Sequence, residues 1–167
     1  MGAELLRSVK RRSRDSGGLS LLALTKYTRA GASSRYRTFQ YLPYLQEAGF
    51  REVSPLFDDS YLHNRYERGR GSLTDLLRAF TRRCRAILKA RHFDLIVIEY
   101  ELLPYLPATF ESLLASFGIR YFVDYDDALF HQYDNHCNPL IRFFLVSKIA
   151  TVMRHAELVI AGNRYLA

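Results

Sequence analysis

The chain has 167 residues and a formal net charge of +7, which comes from 24 Lys or Arg against 17 Asp or Glu. A chain of this length suits one domain with a sizeable core and is short for two. Its two cysteines, Cys84 and Cys137, are too few for a disulfide framework, and its longest apolar runs are shorter than the roughly 18 residues of a transmembrane helix.

The leading segment, residues 1–18, is polar and basic and ends in Ser16, Gly17 and Gly18. We therefore predict a flexible basic leader over residues 1–18. The leader lacks the apolar core of a secretory signal, so a cytoplasmic location is expected.

From residue 19 onward, short apolar runs alternate with segments of helical periodicity. The apolar runs predict strands at residues 19–25, 51–57, 94–99, 119–125 and 157–161. The periodic segments predict helices at residues 35–48, 72–91, 107–118 and 138–155. Pro43 is expected to kink or divide the first helix, and Pro55 indicates an edge position for the second strand.

This alternation predicts an α/β fold class, with a doubly wound, mostly parallel, five-stranded Rossmann-like sheet that carries helices on both faces. In such a sheet the ligand crevice lies beyond the carboxyl ends of the strands. Side chains that directly follow a strand are therefore the first candidates for a functional site. Residues 162–165 look like the start of another helix just before the chain ends at Ala167, so we expect a fragment of a longer protein.

Residues 72–91 show the clearest helical pattern. Apolar side chains fall on one stripe, made of Leu73, Leu76, Leu77, Phe80, Cys84, Ile87 and Leu88. Ser72 and Asp75 have the spacing of a capping box. Basic side chains are expected on the opposite face, namely Arg78, Arg82, Arg85 and Lys89.

The positive charge is concentrated in the leader and in residues 65–91, which include this helix, and this clustering predicts an anionic partner. A phosphorylated substrate and an anionic membrane surface both fit, and in the second case Arg78, Arg82 and Arg85 would make a peripheral membrane contact. A solvated basic face is the alternative. No interleaved base-stacking aromatics support nucleic acid, which is not expected as a partner.

The turn after the first strand is the usual phosphate-binding position of this fold. It offers Gly31, Ser33, Ser34 and Arg35. The chain lacks both the G-x-G-x-x-G fingerprint and the G-x-x-x-x-G-K-[ST] loop, which argues against a dehydrogenase and a phosphate-loop enzyme. Arg35 is suited to hold a phosphate as a bidentate pair, and a solvent-facing side chain is the alternative.

The fourth strand ends abruptly in acidic residues, which places Asp126 and Asp127 where the crevice is expected. Capping of the next element is the alternative role for Asp127. Asp124 and Asp126 also have a spacing that can bind a divalent cation through two carboxylates, although acidic triplets are common. The nearby histidines and Cys137 fit no standard zinc spacing.

Several of these segments, in this order and spacing, form a recognisable pattern. They are residues 32–37 (Ala-Ser-Ser-Arg-Tyr-Arg), Leu45 with Gly49, residues 124–130 (Asp-Tyr-Asp-Asp-Ala-Leu-Phe) and residues 158–163 (Leu-Val-Ile-Ala-Gly-Asn). The pattern resembles the N-terminal domain of GT-B glycosyltransferases of group 1, or family 4. The resemblance covers residues 19–167.

The resemblance implies a glycosyltransferase of the hexosyltransferase type with two Rossmann-like domains that face a cleft. The N-terminal domain would hold the acceptor, which can be lipid-linked, and the C-terminal domain would hold the nucleotide-sugar donor. Transfer in that family retains anomeric configuration and needs no bound metal or other cofactor. The sequence departs from the family pattern in two ways. A histidine that is common near Asp126 in that family is missing, and the donor-binding half is absent.

The resemblance implies roles for individual residues of this sequence. Substrate binding is expected from Gly31, Ser33, Ser34 and Arg35, and catalytic roles are expected for Asp126 and Asp127. The domain is expected to be inactive without its donor-binding partner domain. The alternative is a non-catalytic α/β binding or interaction module that kept the fold.

Overall fold

The computed structural model describes residues 20–47, 50–69 and 71–166. Within these ranges the strands form one five-stranded sheet in the order β2-β1-β3-β4-β5. The strands are β1 (Leu21–Leu24), β2 (Phe50–Val53), β3 (Leu95–Glu99), β4 (Tyr121–Tyr125) and β5 (Leu158–Ala161). All neighbouring pairs are parallel, and β2 lies at an edge as predicted. The predicted basic leader, residues 1–18, lies outside the described residues.

Alternation along the strands sends one set of side chains into the main core. Leu22, Leu24, Ile96, Ile98 and Val123 are buried in one cluster, together with helix residues that include Ala86, Leu114, Ile149 and Val152. The connection from β1 to β2 runs along the sheet in the opposite direction to the later connections, so a right-handed crossover places its helices on the opposite face of the sheet. Helices therefore lie on both faces, which confirms the doubly wound α/β prediction.

The first crossover is divided rather than continuous. It consists of α1 (Ala32–Ser34), a π-helical turn (Arg35–Phe39) and α2 (Leu42–Glu47). The helical segment predicted over residues 35–48, whose last residue lies outside the described ranges, is therefore divided as Pro43 led us to expect, and its first part is a π-helical turn. Pro43 lies in the first turn of α2, where the missing N–H of proline leaves no helical hydrogen bond unmade.

A further helix, α3 (Asp59–Arg68), fills a segment for which the sequence shows no clear period. The Asp58 side chain begins it by accepting a hydrogen bond from the Tyr61 N–H at 3.1 Å, and Gly69 ends it with a φ of 68°. Among residues 59–67 of this helix, only Tyr61 and Leu62 are buried. This narrow apolar contact explains the missing pattern.

The long helix α4 (Leu73–Lys89) continues into a 3-10 turn (Ala90–His92). Its predicted apolar stripe is wrong in part, because Leu73, Leu77 and Leu88 are 71%, 61% and 75% exposed. The centre of the buried face is made instead of small residues and an arginine: Ala79, Arg83, Ala86 and Ala90. The small alanines let the helix backbone approach its neighbours closely, which turns the leucines outward.

The capping box predicted at the start of α4 is only half formed. Ser72 caps the helix by accepting from the Thr74 N–H at 3.3 Å. Asp75 instead turns towards α3 and accepts from Asn64 Nδ2 at 2.8 Å. The buried carboxylate thereby joins the two helices.

The remaining helices are α5 (Thr109–Ser116), α6 (His131–Asp134), α7 (Pro139–Leu145) and α8 (Lys148–His155). The single helix predicted over residues 138–155 is interrupted at Val146 and Ser147, so this boundary was wrong. Residues 162–166 form turns in which the Asn163 side chain accepts from the Tyr165 and Leu166 N–H groups, as a helix N-cap does, so the predicted start of a further helix stays a prediction. None of the helices within the described ranges has the length and apolar character needed to cross a membrane.

Candidate functional site

The carboxyl ends of all the strands lie at one edge of the parallel sheet. Because β3 lies between β1 and β4, the turn after β1, the loop after β3 and the acidic end of β4 are neighbours there. This is the edge at which parallel sheets bind ligands. The residues predicted from sequence therefore share the expected side of the molecule.

The buried carboxylate of Glu99 organises the turn after β1. It accepts from the hydroxyl of Ser33 at 2.9 Å, from the hydroxyl of Ser34 at 2.6 Å and from the Lys26 N–H at 3.1 Å. The Ser34 hydroxyl also accepts from the Tyr27 N–H at 2.9 Å. The two predicted substrate-binding serines therefore fix the shape of the turn through Glu99.

Gly31 is required where this turn closes. A Cβ at Gly31 would lie 2.3 Å from the Cβ of Tyr27, a separation that real carbon atoms do not reach. The Gly31 N–H also donates to the carbonyl of Thr28 at 3.0 Å. A larger residue would force the turn apart.

The buried Arg83 of α4 contacts the backbone at the beginning of the same turn. Its guanidinium donates to the carbonyl of Thr25 at 2.5 Å, just after β1. Burial lowers the pKa of Arg83 to about 9, while the carboxylates of Glu99 and Glu111 oppose this shift. The arginine remains charged at neutral pH and fixes the end of the strand.

Two arginines follow the turn, and they have different surroundings. Arg35, the predicted phosphate ligand, is exposed, and its guanidinium carbon lies 5.2 Å from the ring centre of Tyr36. Arg37 reaches the fourth strand instead, where it forms a bidentate pair with Asp124, with Nε 2.7 Å from Oδ2. The sequence pattern does not single out Arg37, because neither helical period nor motif spacing shows which side chain of an irregular turn crosses to the sheet.

The acidic end of β4 lies beside the loop after β3. Asp126 is half-buried and accepts a hydrogen bond from the hydroxyl of Tyr100, a residue whose φ is 67°. Burial and the hydrogen bond to Asp126 both raise the pKa of Tyr100, which keeps it a donor. Asp127 is exposed and does not cap α6, whose N-cap residue is Phe130.

The loop after β3 is held by a buried polar network. Lys148 pairs with Glu101 and also donates to the carbonyl of Leu103 at 2.6 Å. The hydroxyl of Tyr133 donates to both oxygens of Glu101 and accepts from the Tyr105 N–H at 3.1 Å. This network fixes the position of Tyr105, whose φ of 60° is rare for a residue with a side chain.

A pocket of about 450 Å³, which we call the aromatic pocket, opens between the turn after β1, α3, α4 and the loop after β3. Its lining includes five aromatic side chains and two cations, namely Tyr27, Phe57, Tyr61, Phe80, Tyr105, Lys26 and Arg65. It lies where the chain leaves β1 for β2 and later returns to β3, which is the switch point of the sheet. Sequence reasoning misses it because α3, which supplies Tyr61 and Arg65, has no clear periodic pattern.

The predicted basic face of α4 is partly neutralised. Arg82 pairs with Asp58 at 2.7 Å and Lys89 with Glu52 at 3.3 Å. Arg78 lies 3.9 Å from Asp75, whereas Arg85 is exposed. A peripheral membrane contact through Arg78, Arg82 and Arg85 stays a prediction.

Across the described part of the chain, no group of three or more His, Cys, Asp or Glu side chains is placed to hold a metal ion. A scan against models of known protein families, a search of curated proteins and a search of solved structures each return no match for this chain. A Rossmann-like sheet supports many unrelated activities, so the fold alone does not identify the function of this chain.

Proposed function

We propose that this chain is the acceptor-side, N-terminal domain of a retaining, metal-independent glycosyltransferase that moves a sugar from a nucleotide-sugar donor to an acceptor. The observation that carries the proposal is the bidentate pair between Arg37 and Asp124. It joins the crossover after β1 to β4 just before its acidic end, which supports the proposal that both predicted groups of site residues act at one edge of the sheet. Activity would require a separate donor-binding domain.

In this proposal Asp126 and Asp127 are the catalytic residues. A carboxylate at this position can orient an acceptor hydroxyl and take up its proton. The Tyr100 hydroxyl holds Asp126, while the exposed Asp127 is open to a substrate. The two side chains are therefore suited to different tasks.

The turn after β1 would bind the substrates. Gly31 allows the turn to close tightly, and Ser33 and Ser34 hold it against Glu99. Arg35 is exposed beside this turn, where a guanidinium can pair with a phosphate of the donor. In this proposal Arg35 contacts the substrate directly, whereas Gly31, Ser33 and Ser34 act by holding the turn in place.

The test begins by comparing the 167-residue chain with the product of the gene extended downstream. We expect the longer protein to contain a second Rossmann-like half and to release nucleotide from a UDP- or GDP-sugar when an acceptor is present. The 167-residue chain alone should release none. Turnover by the chain alone, or an extended gene without a second half, would contradict the proposal.

Variants of the extended protein test the assigned roles. Asp126→Asn or Asp127→Asn should lower kcat roughly 100-fold or more if that side chain moves the proton. Arg35→Gln should mainly raise the KM for the donor. The control is Asp134→Asn, because Asp134 lies on α6 in an exposed contact with His131 and should leave kcat unchanged.

A non-catalytic binding module is the second candidate. The observation that favours it is the aromatic pocket, which is complete within the described part of this chain. Binding without turnover by the extended protein would support this candidate.

A further inference from the structure

We propose that the aromatic pocket binds an organic anion, with its apolar or planar body against Tyr27, Phe57 and Tyr61 and its carboxylate or phosphate between Lys26 and Arg65. This inference goes beyond the proposed function and does not depend on it, because a binding module would use the pocket in the same way.

The size and lining of the pocket fit such a body. Its volume of about 450 Å³ suits a small organic molecule, for which pockets of roughly 300–1,000 Å³ are usual. The rings of Phe57 and Tyr61 stack with their centres 4.0 Å apart and form one wall. Tyr105 and Pro104 from the loop after β3 form another. Flat aromatic walls favour a planar or apolar ligand.

The charge of the pocket is positive. Lys26 and Arg65 both line it, and its lining residues include no Asp or Glu. The Lys26 ammonium lies 5.6 Å from the ring centre of Tyr27 and 4.9 Å from that of Tyr100, and within the described ranges it makes no ion pair. Arg65 is exposed and contacts the hydroxyl of Tyr61 at 3.5 Å. An anion is therefore the complementary ligand.

Two of the carboxylates near Lys26 are already engaged by other donors. Glu99 accepts from Ser33, Ser34 and the Lys26 backbone, and Glu101 is paired with Lys148 and Tyr133. Burial lowers the pKa of Lys26, and the carboxylates of Glu101 and Glu99 offset this only in part. A bound anion would stabilise the ammonium that burial disfavours.

The shape of the pocket is fixed in advance. Tyr105 lines it with a φ of 60°, held there by the hydroxyl of Tyr133, whose ring centre is 5.8 Å from that of Tyr105. A backbone conformation of this kind costs energy, and such positions are frequent at ligand sites. A rigid wall loses little entropy when a ligand binds.

A chain of contacts through Tyr100 links the pocket to the acidic end of β4. The Lys26 ammonium lies over the ring of Tyr100, and the hydroxyl of Tyr100 donates to Asp126. If the chain is a glycosyltransferase domain, a molecule in this pocket would lie on the acceptor side of the crevice.

The experiment titrates the 167-residue chain with naphthyl phosphate, naphthoate, naphthol and inorganic phosphate by calorimetry. Naphthyl phosphate or naphthoate should bind roughly tenfold or more tighter than naphthol, because only the anions pair with Lys26 and Arg65. The tighter of the two anions identifies the headgroup. Inorganic phosphate should not compete, since it lacks the body that fills the aromatic walls. The proposal would be overturned if naphthol bound as tightly as naphthyl phosphate and naphthoate, or if neither of these two anions bound.

Paired variants locate the binding. Leu77 lines the pocket and is 61% exposed, so Leu77→Trp should fill the opening and weaken the anions roughly tenfold without unfolding the chain. Leu73→Trp, one helical turn earlier and outside the lining, is the control and should change nothing. Arg65→Gln should weaken the anions and leave naphthol unchanged, whereas Arg85→Gln should affect neither. Equal effects of the Leu77 and Leu73 variants would place the binding elsewhere and contradict the proposal.

Discussion

Two nitrogens of the Arg37 guanidinium donate hydrogen bonds to the two carboxylate oxygens of Asp124. Both side chains are largely buried, with 25% of the Arg37 side chain and 15% of the Asp124 side chain exposed. The pair connects an irregular helical turn to the fourth strand of the sheet. Because a guanidinium matches a carboxylate in two parallel hydrogen bonds, the contact fixes an orientation as well as a distance. The turn that carries the predicted substrate-binding residues is thereby set against the acidic strand end.

The contribution of this pair can be measured with a double-mutant cycle. Arg37→Met, Asp124→Asn and the double variant should give a coupling of about 1–2 kcal/mol in urea unfolding, between the values usual for exposed and for buried pairs. The control cycle uses Lys89→Met and Glu52→Gln, a pair with side chains 58% and 38% exposed, and should give less than about 0.5 kcal/mol. Equal couplings in the two cycles would show that burial of the Arg37 pair adds nothing.

The serines of the turn after β1 should differ in their effect on stability. Ser34 is fully buried, donates to Glu99 and accepts from the Tyr27 N–H, so Ser34→Ala removes one hydrogen bond to the Glu99 carboxylate and takes the acceptor away from the Tyr27 N–H. We expect a loss of about 1–3 kcal/mol in the free energy of unfolding. Ser33 is half-buried and makes one bond to Glu99, so Ser33→Ala should cost about 0.5–1.5 kcal/mol. A larger loss from Ser33→Ala would contradict this account of the turn.

Removing one partner of the ion pair between Lys148 and Glu101 should lower the free energy of unfolding, because the other charge stays buried without a counter-ion. Both side chains are almost fully buried, so Lys148→Met leaves the Glu101 carboxylate without its cation. The free energy of unfolding should fall by about 3–5 kcal/mol. Lys148→Met combined with Glu101→Gln should recover part of this loss, because the neutral amide can still accept from Tyr133. A double variant no more stable than Lys148→Met would mean that charge burial is not the cause.

The central strands β1 and β3 were predictable because buried parallel strands are short and largely apolar, whereas the edge strand β2 contains Arg51 and Glu52 and has no fully buried residue. Their order in the sheet follows from the crossovers and agrees with the doubly wound prediction. Helix α3 was not predictable, since among residues 59–67 it buries only Tyr61 and Leu62 and therefore shows little hydrophobic periodicity. The orientation of α4 was mistaken because alanines determine how closely a helix packs, while leucines dominate the sequence pattern.

The candidate site was predictable to the level of a strand end or a turn, and not to individual contacts. The sequence places Ser33, Ser34 and Asp126 at the correct edge. It does not show that Glu99 engages both serines or that Arg37, rather than Arg35, reaches β4. These contacts join residues more than sixty positions apart, so they depend on how the sheet is assembled. The aromatic pocket is likewise built from five separate segments.

The contact between Asp58 and Arg82 should make stability depend on pH in the acid range. Burial opposes ionisation of Asp58, but hydrogen bonds from Arg82, Ser60 and the Tyr61 N–H outweigh it and lower the pKa to about 2 from 3.8. A carboxyl whose pKa is depressed by folding adds stability above its unfolded value, and this is lost as the pH falls from about 4 to about 2.

Asp58→Asn isolates this effect, because asparagine still caps α3 but cannot pair with Arg82. The side chain of Asp58 is 32% exposed, so after solvent screening the variant should be less stable by about 1 kcal/mol at pH 7. Urea unfolding at a series of pH values checks the prediction, since the difference from the parent chain should shrink below about pH 4. A difference that persists unchanged into acid would mean that the ion pair is not its source, and loss of the helix cap would then be the better explanation.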